Sequence, residues 1–586
     1  MRPRTGAETG QDDVRETSDR RAEPTAVMER VRGWLTRPIV AALVLLAVYG
    51  ALTLVLNDPR GTLGTDTGGK LATLQVMDQR GSLLPDVGYW AARYDPHATL
   101  HPLFYTYDVG GHWVNVTTLP MIYAALPLYH LGGPRLVLLL PMLGALLCAF
   151  GARALARRLG GGSGWPAFWV VGLTTPVAIY ALDFWEHSIG LGLMLWGVVH
   201  LWDLAGAPGA EGSERGVRGG WWSAALAGAC FGLAATMRTE ALVYLVVAGS
   251  VACLTLLVRR RAIVAVAARG LTLLAAAGVV LGMNDLLERA VLGTTLRASR
   301  AASTADGIGT SLATRVQEAF TTTLGLNAFS RDLDFLVGAL VVALLAYGAW
   351  RLRRGDEVVI GWAVIAVAVV LYALRFSTGL GFVPGVLTAW PFAACGLVLG
   401  WRRDLRLPVV IALVALPVVW AFQYSGGAGP QWGGRYELLT GVLLAIVGVV
   451  AVQGSRRAFA ALVVVSVLVT GFGLAWLSVR SHNVANGIET IVARHDEAVI
   501  SGEAHILREG GAFYDPGSHW LTTTNDAQLR RAVKIVAASG DHEFAYVVSD
   551  GSGLPRTLGG FRRTAVEKVA FLRPDIFLTV ATFKST

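Results

Sequence analysis

The chain has 586 residues, of which 54% are hydrophobic and only 16% charged, with a formal net charge of +9. Soluble domains are about a quarter charged, so the deficit argues against an ordinary soluble enzyme, and the apolar residues arrive in blocks of roughly 16–22, about the length that crosses a bilayer core. The basic excess is arginine gathered between those blocks, a pattern that belongs to the cytoplasmic side of a membrane and not to a nucleic-acid groove.

Residues 1–30 are charged and poor in aromatics and read as a disordered cytoplasmic tail. The first apolar block starts near Pro38 and others follow, which is unlike a cleaved signal peptide. Spans are predicted at 38–56, 135–152, 165–182, 187–203, 221–236, 241–258, 262–284, 335–350, 358–375, 382–400, 407–424, 437–453 and 458–477, about 13 in all. Counted from a cytoplasmic start, the inner loops hold Arg153, Arg157 and Arg158; Arg215 and Arg218; Arg259, Arg260 and Arg261; Arg351, Arg353 and Arg354; Arg402, Arg403 and Arg406; and Arg456 and Arg457. Arginine in every inner loop sets the orientation. The short apolar stretch 119–131, with Pro120 and Pro127, reads as a helix along or dipping into the outer leaflet. Cys148, Cys230, Cys253 and Cys395 lie inside apolar blocks without metal-ligand spacing, and no disulfide framework is expected.

The long outer loops are 57–134 and 285–334. After the last span, residues 479–586 read as a separate outer domain, with strands at 498–500, 544–548 and 576–580 and a helix at 526–538. The expectation is an all-α polytopic membrane protein, its membrane domain at 31–478, with a small C-terminal extracytoplasmic α/β domain. Low lysine with high Ala, Gly, Val and Arg points to a bacterial source.

Ionisable residues near membrane depth are costly and are functional candidates by default. Four groups fall on the predicted outer face. Asp66 and Lys70 follow span 1, four residues apart and on one face if helical. Asp183, Glu186 and His187 interleave with Phe184 and Trp185 between spans 3 and 4, placed to bond hydroxyls or orient another group. A divalent metal there would find two or three ligands, and no metal or other cofactor is assigned. Arg238 and Glu240 lie between spans 5 and 6, either packing as a pair or gripping a phosphate. Before span 12 a glycine-rich run leads into Trp432, Arg435 and Tyr436, a cation between two aromatic faces suited to an anion and to sugar stacking or lipid contact. Asp95, His97, His101, Asp108 and His112 of the first outer loop match no firm ligand motif, and the Asn115-Val116-Thr117 sequon carries no weight.

The order of these parts resembles the superfamily-C (GT-C) membrane glycosyltransferases, in the group related to protein O-mannosyltransferases and the lipid A aminoarabinose transferase. The resemblance lies in Asp66 after span 1, in 119–123 through Arg135, in 153–159, in 180–187 and in 232–238, with Gln431-Trp432-Gly433-Gly434-Arg435-Tyr436 as an isolated matching loop. It implies transfer of a sugar from a polyprenyl-phosphate donor to an envelope glycan, lipid or protein on the outer face of a bacterial inner membrane. It also implies that Asp66 serves as catalytic base or its partner, with Lys70, Arg238 and Arg435 toward the donor phosphate. Glu186 and His187 complete the candidate catalytic set, and Asp183, Glu240, Trp432 and Tyr436 the candidate substrate-binding set. The chain departs from that pattern at Thr67, where the family has a second acid, so Glu186 or Asp183 would substitute. Two other functions fit a polytopic chain. A flippase of lipid-linked saccharides would favour internal repeats and charges at mid-membrane. A polysaccharide polymerase or ligase would use outer-loop arginines such as Arg297, Arg300, Arg315 and Arg331.

Overall fold

The computed structural model of the chain describes Gly33 and residues 36–62, 64–116, 118–205, 214–260, 262–300, 311–325, 331–354, 358–378, 384–422, 432–494, 496–549 and 554–586. The 1–30 tail and the glycine run before Trp432 lie outside the described residues.

The elements run in order: α1 (Pro38–Leu56), α2 (Thr65–Arg80), the hairpin β1 (Thr106–Val109) and β2 (His112–Asn115), α3 (Leu119–Leu136), α4 (Leu139–Arg158), α5 (Trp165–Leu173), α6 (Pro176–Tyr180), α7 (His187–Ala205), α8 (Glu214–Ala235), α9 (Glu240–Arg260) and α10 (Ile263–Leu292). After these come α11 (Leu312–Leu324), α12 (Arg331–Arg354), α13 (Val358–Thr378), α14 (Val386–Ala389), α15 (Pro391–Leu399), α16 (Arg406–Phe422), α17 (Leu438–Val452) and α18 (Arg456–Val492). Among the described residues six helices, α1, α4, α7, α9, α10 and α18, are long and apolar enough to cross a membrane, and shorter apolar helices lie in α8, α12, α13, α16 and α17. The protein is a multi-pass membrane protein. In α1 the stripe Ala41, Leu45, Tyr49 and Thr53 is buried, while Leu43, Leu54 and Val55 face outward. A helix apolar on all sides with one packed stripe has its other side against lipid.

Two predicted spans are interrupted. Residues 165–182 form α5 and α6, broken before Pro176, which has no N–H to continue the ladder; the Thr175 hydroxyl accepts from Val177 N at the new start. Residues 384–400 break at Pro391, between α14 and α15. At the other extreme, α10 and α18 run well past the expected ends of their spans.

The C-terminal domain has the expected α/β character, with strands and a helix over the predicted stretches. Its sheet has the order β4-β3-β5-β8-β7-β6, with β3 (Ala498–Ser501) parallel to both β4 (His519–Thr522) and β5 (Glu543–Val548). The hairpin β7 (Phe561–Phe571) and β8 (Arg573–Ser585) continues it antiparallel, with β6 (Thr557–Leu558) at the edge. A one-turn helix, α19 (Ile506–Glu509), follows β3, and α20 (Asp526–Ser539) lies between β4 and β5. Helix α18 passes through residue 479 without a break. Tyr89, Ala91 and Leu100 of loop 57–134 share one apolar core with Ile500, Leu521 and Val533. Ala72 and Val76 of α2 share another with Val484, Ile488 and Leu507. Loop 57–134 and the sheet bury apolar residues against each other.

Candidate active site

The ionisable residues collect where several helices begin. Asp66 lies in the first turn of α2, Glu186 directly precedes α7, Glu240 opens α9, and Glu437 sits at the N-cap position of α17 without a side-chain capping bond. Carboxylates at helix N-termini meet the positive end of the peptide dipoles, which offsets part of the cost of leaving water. The other end of the bundle is separate. His187 starts α7, whereas Asp203 near its far end pairs with Arg158 of α4 at 2.7 Å, and Arg259 donates to the Ala205 carbonyl. The arginine-rich loops and the site are thus at opposite ends of the same helices.

Two ionic groups make up the site. In the deeper one Glu186 bonds Lys70 through Oε2 and Arg238 Nη1 through Oε1 at 3.1 Å, and Arg238 Nε reaches Glu240 Oε1 at 2.8 Å. All four are buried, Lys70 to 1% exposure. In the outer one Arg435 Nη2 holds Asp66 Oδ2, and Arg508 Nη1 lies 3.5 Å from Asp66 Oδ1. Here the Asp66 side chain keeps 32% of its exposure and Arg435 10%. The Asp66–Arg435 pair is therefore the part that a ligand can reach. Lys70, four residues along α2 from Asp66, turns to Glu186 instead of pairing with it.

Burial opposes charge on Asp66, but the cations Arg435, Arg508, Lys70 and Arg238 outweigh it and hold the carboxyl well below the usual range. Lys70 and Arg238 likewise hold Glu186 down against its burial.

His187 accepts from Arg435 Nε through Nε2 at 3.1 Å. A guanidinium only donates, so this imidazole is neutral and carries its proton on Nδ1. The ring stacks on Tyr180 (5.1 Å, 15°) and leans on Trp185 (4.5 Å), and Trp185 also lies under the Arg435 guanidinium at 4.7 Å. His187 and Trp185 thus aim Arg435. Asp183 accepts from the Thr67 hydroxyl at 2.8 Å, so Thr67 ties Asp183 to α2.

The loop carrying Arg435 is fixed by its backbone. Gly433 and Gly434 both have φ of +75°, where an L side chain is strained. Gly433 N donates to the Pro384 carbonyl and its own carbonyl accepts from Trp390 Nε1. Trp432, expected as a flat surface for sugar or lipid, is 1% exposed and packs on Phe472 and Trp476, while its carbonyl accepts the Tyr180 hydroxyl at 2.9 Å. It supports the loop from beneath. Trp432→Ala is expected to cost about 3–5 kcal/mol of stability, read as a lowered melting temperature of the detergent-solubilised protein, with Trp432→Phe milder. Tyr436 lies 5.2 Å from the Arg238 and 5.3 Å from the Arg435 guanidinium.

Several of the secondary candidates in loop 57–134 are bonded away from the site. Asp95 accepts from the Tyr89 hydroxyl and Leu100 N and pairs with Arg531, His101 bridges Leu103 N and the Gly88 carbonyl, and His112 meets Asp86. Among the described residues no group of three or more His, Cys, Asp or Glu is placed to hold a metal.

Sequence reasoning missed Arg508 and passed over Asn115 as a sequon. Asn115 Oδ1 accepts from Arg508 Nη2 at 3.3 Å, and its Nδ2 donates to the Phe104 carbonyl and Thr106 hydroxyl, both at 3.0 Å. Nothing in the residues around Arg508 signals that role.

No family model matches this chain, and no curated protein does. Among solved structures the chain is similar to AglB, the archaeal oligosaccharyltransferase from Archaeoglobus fulgidus, in complex with an inhibitory peptide and a dolichol-phosphate, at 10% identity, with a TM-score of 0.38 over 86% of this chain and 69% of that one. It is also similar to ArnT from Cupriavidus metallidurans bound to undecaprenyl phosphate, at 12% identity and a TM-score of 0.46, covering 92% of this chain and 97% of that one. To the apo form of that ArnT the identity is 12% and the TM-score 0.48, over 94% of this chain and 98% of that one.

Proposed function

We propose that this chain is a membrane glycosyltransferase that moves a sugar from a polyprenyl-phosphate donor to a cell-envelope acceptor at the outer face of a bacterial inner membrane, with its N-terminus cytoplasmic and its sheet domain outside. The observation that carries this reading is the solvent-reached pair of Asp66 and Arg435, a carboxylate and a guanidinium from distant parts of the chain, at the end of the bundle opposite the arginine-rich loops. The motif order and the arginine distribution support the same assignment.

The pair is suited to a single displacement. Arg435 takes the donor phosphate through its planar fork, and the buried cations Lys70 and Arg238 add positive field behind it. Asp66 takes the proton of the acceptor hydroxyl. The hydroxyl oxygen bonds to the anomeric carbon as the bond from that carbon to the phosphate oxygen breaks, and the electron pair leaves on the polyprenyl phosphate. One displacement inverts the anomeric carbon. His187 and Trp185 keep Arg435 facing the phosphate.

Deleting the chain is expected to remove one envelope glycan modification and raise one polyprenyl-linked sugar in lipid extracts. Unchanged glycans and lipid-linked sugars would refute the reading. For the purified full chain, binding of a C55 polyprenyl phosphate is expected to weaken on the order of 30-fold or more in Arg435→Ala, since a hydrogen-bonded charge contact is removed. Equal binding by the variant and the parent would remove Arg435 from the donor site.

A further inference from the structure

We propose that Arg508, supplied by the C-terminal domain, is the positioning residue for the Asp66 carboxylate, so that the outer domain completes the active site. The inference rests on the glycosyl-transfer reading and deepens it. Two guanidiniums share Asp66, one on each oxygen: Arg435 on Oδ2 and Arg508 on Oδ1. They differ in access. Arg435 belongs to the part that a ligand reaches, whereas Arg508 is 2% exposed and closed off from a substrate. Its guanidinium is held by Asn115 and lies 5.3 Å from the ring of Tyr105. Tyr105 itself has φ of +65°, a costly backbone state for a bulky residue that brings its ring under the arginine.

The backbones on either side are also in contact. A Cβ on Gly68 would lie 1.8 Å from the Arg508 carbonyl oxygen, and one on Gly511 1.8 Å from the Gly68 carbonyl oxygen. Only glycine permits that approach, and it fixes α2, which carries Asp66, against α19, which carries Arg508. Arg480 on α18 braces the same junction through Glu509 at 3.0 Å and the Thr62 carbonyl at 3.2 Å.

The consequence is a division of labour. When the donor phosphate engages Arg435, Oδ2 of Asp66 is released toward the acceptor hydroxyl, while Arg508 keeps Oδ1 and with it the plane of the carboxylate. A base misplaced by about an ångström can cost on the order of 100-fold in rate.

The test uses the full-length chain with Arg508→Gln and Arg508→Lys, read by C55 polyprenyl phosphate binding in detergent and by the envelope glycan in a deletion strain. Arg508→Gln is expected to bind the probe within about two-fold of the parent, yet to lose transfer on the order of 100-fold and accumulate the polyprenyl-linked sugar. Arg508→Lys, which keeps the charge, restores part of the glycan. Wild-type glycan in Arg508→Gln, loss of probe binding, or a lysine variant no better than glutamine would each overturn the assignment. If Arg508→Gln does not yield a monodisperse protein, Asn115→Leu, which removes the acceptor steering Arg508, is read by the same two measurements and the same criteria. Failure of the parent chain itself to bind the probe or to change the glycan is a separate result, and it sinks the functional reading instead.

Discussion

Asp66→Asn is expected to lower transfer by about 10²–10⁴-fold, the usual weight of a positioned base, with the polyprenyl donor accumulating and the protein level unchanged. The exchange is nearly isosteric and asparagine keeps one oxygen for a guanidinium, but it removes the charge that Arg435 and Arg508 share, so a lowered melting temperature is expected beside the lost transfer. Proton acceptance is what disappears. In the free protein this carboxylate is poorly suited to its task. Burial would raise its pKa, but Arg435, Arg508, Lys70 and Arg238 together hold it well below the ordinary carboxylate range. A depressed folded-state pKa contributes stability above pH about 4 that is lost only as pH falls through the lower value. The free site therefore keeps its charge in mild acid, and a base so stabilised takes protons reluctantly. Donor phosphate on Arg435 cancels one of those cations and raises the proton affinity of Asp66. The acid limb of kcat is accordingly expected at higher pH than that of kcat/KM, because the first reports the donor-bound and the second the free enzyme. Coincident limbs would show that the phosphate leaves the Asp66–Arg435 pair intact, and wild-type glycan in Asp66→Asn would take Asp66 out of the chemistry.

The membrane helices were legible because composition and length dictate them: a run of apolar residues too poor in charge for water must find lipid or another helix. The interruptions at Pro176 and Pro391 were not expected, because hydropathy averaged over a window passes across both prolines. The ionisable groups stood out because a charge near membrane depth needs a reason. What the sequence withheld was which charge meets which. Asp66 and Lys70, four apart on one helix, suggested a local pair, yet each bonds a group far away in the chain. Thr67 read as a lost acid, yet its hydroxyl holds Asp183 in place. Arg508 gave no sign at all. A buried arginine in a short loop helix has no periodicity, and its significance exists only after Gly68 and Gly511 bring the two backbones together. Chain order places the C-terminal sheet domain after the last helix, but it says nothing of the apolar core that loop 57–134 shares with the sheet.

Glu186→Gln is expected to destabilise the protein by about 3–5 kcal/mol, the range for removing one partner of a buried ion pair. Glu186 bonds Lys70 and also carries Arg238. Neutralising it leaves Lys70 buried with no bonded carboxylate, Asp66 acting on it only at a distance, whereas Arg238 still has Glu240. The asymmetry makes a sharper test than either single change. Lys70→Met alone strands little, because Glu186 retains Arg238, and it is expected to cost less than Glu186→Gln. Combining Lys70→Met with Glu186→Gln removes the stranded charge, so the double variant is expected to melt higher than Glu186→Gln alone, a coupling of the kind seen for contacting residues. Strict additivity would mean that Lys70 finds another partner when Glu186 is neutral. Transfer should respond differently from stability. The rescued double variant lacks both the deeper positive charge and the carboxylate that seats Arg238 beside the site, so recovery of the melting temperature without recovery of the glycan is the result expected if this inner group supplies field to the donor phosphate. Full recovery of both would reduce Lys70, Glu186 and Arg238 to packing and leave Asp66, Arg435 and Arg508 to carry the chemistry alone.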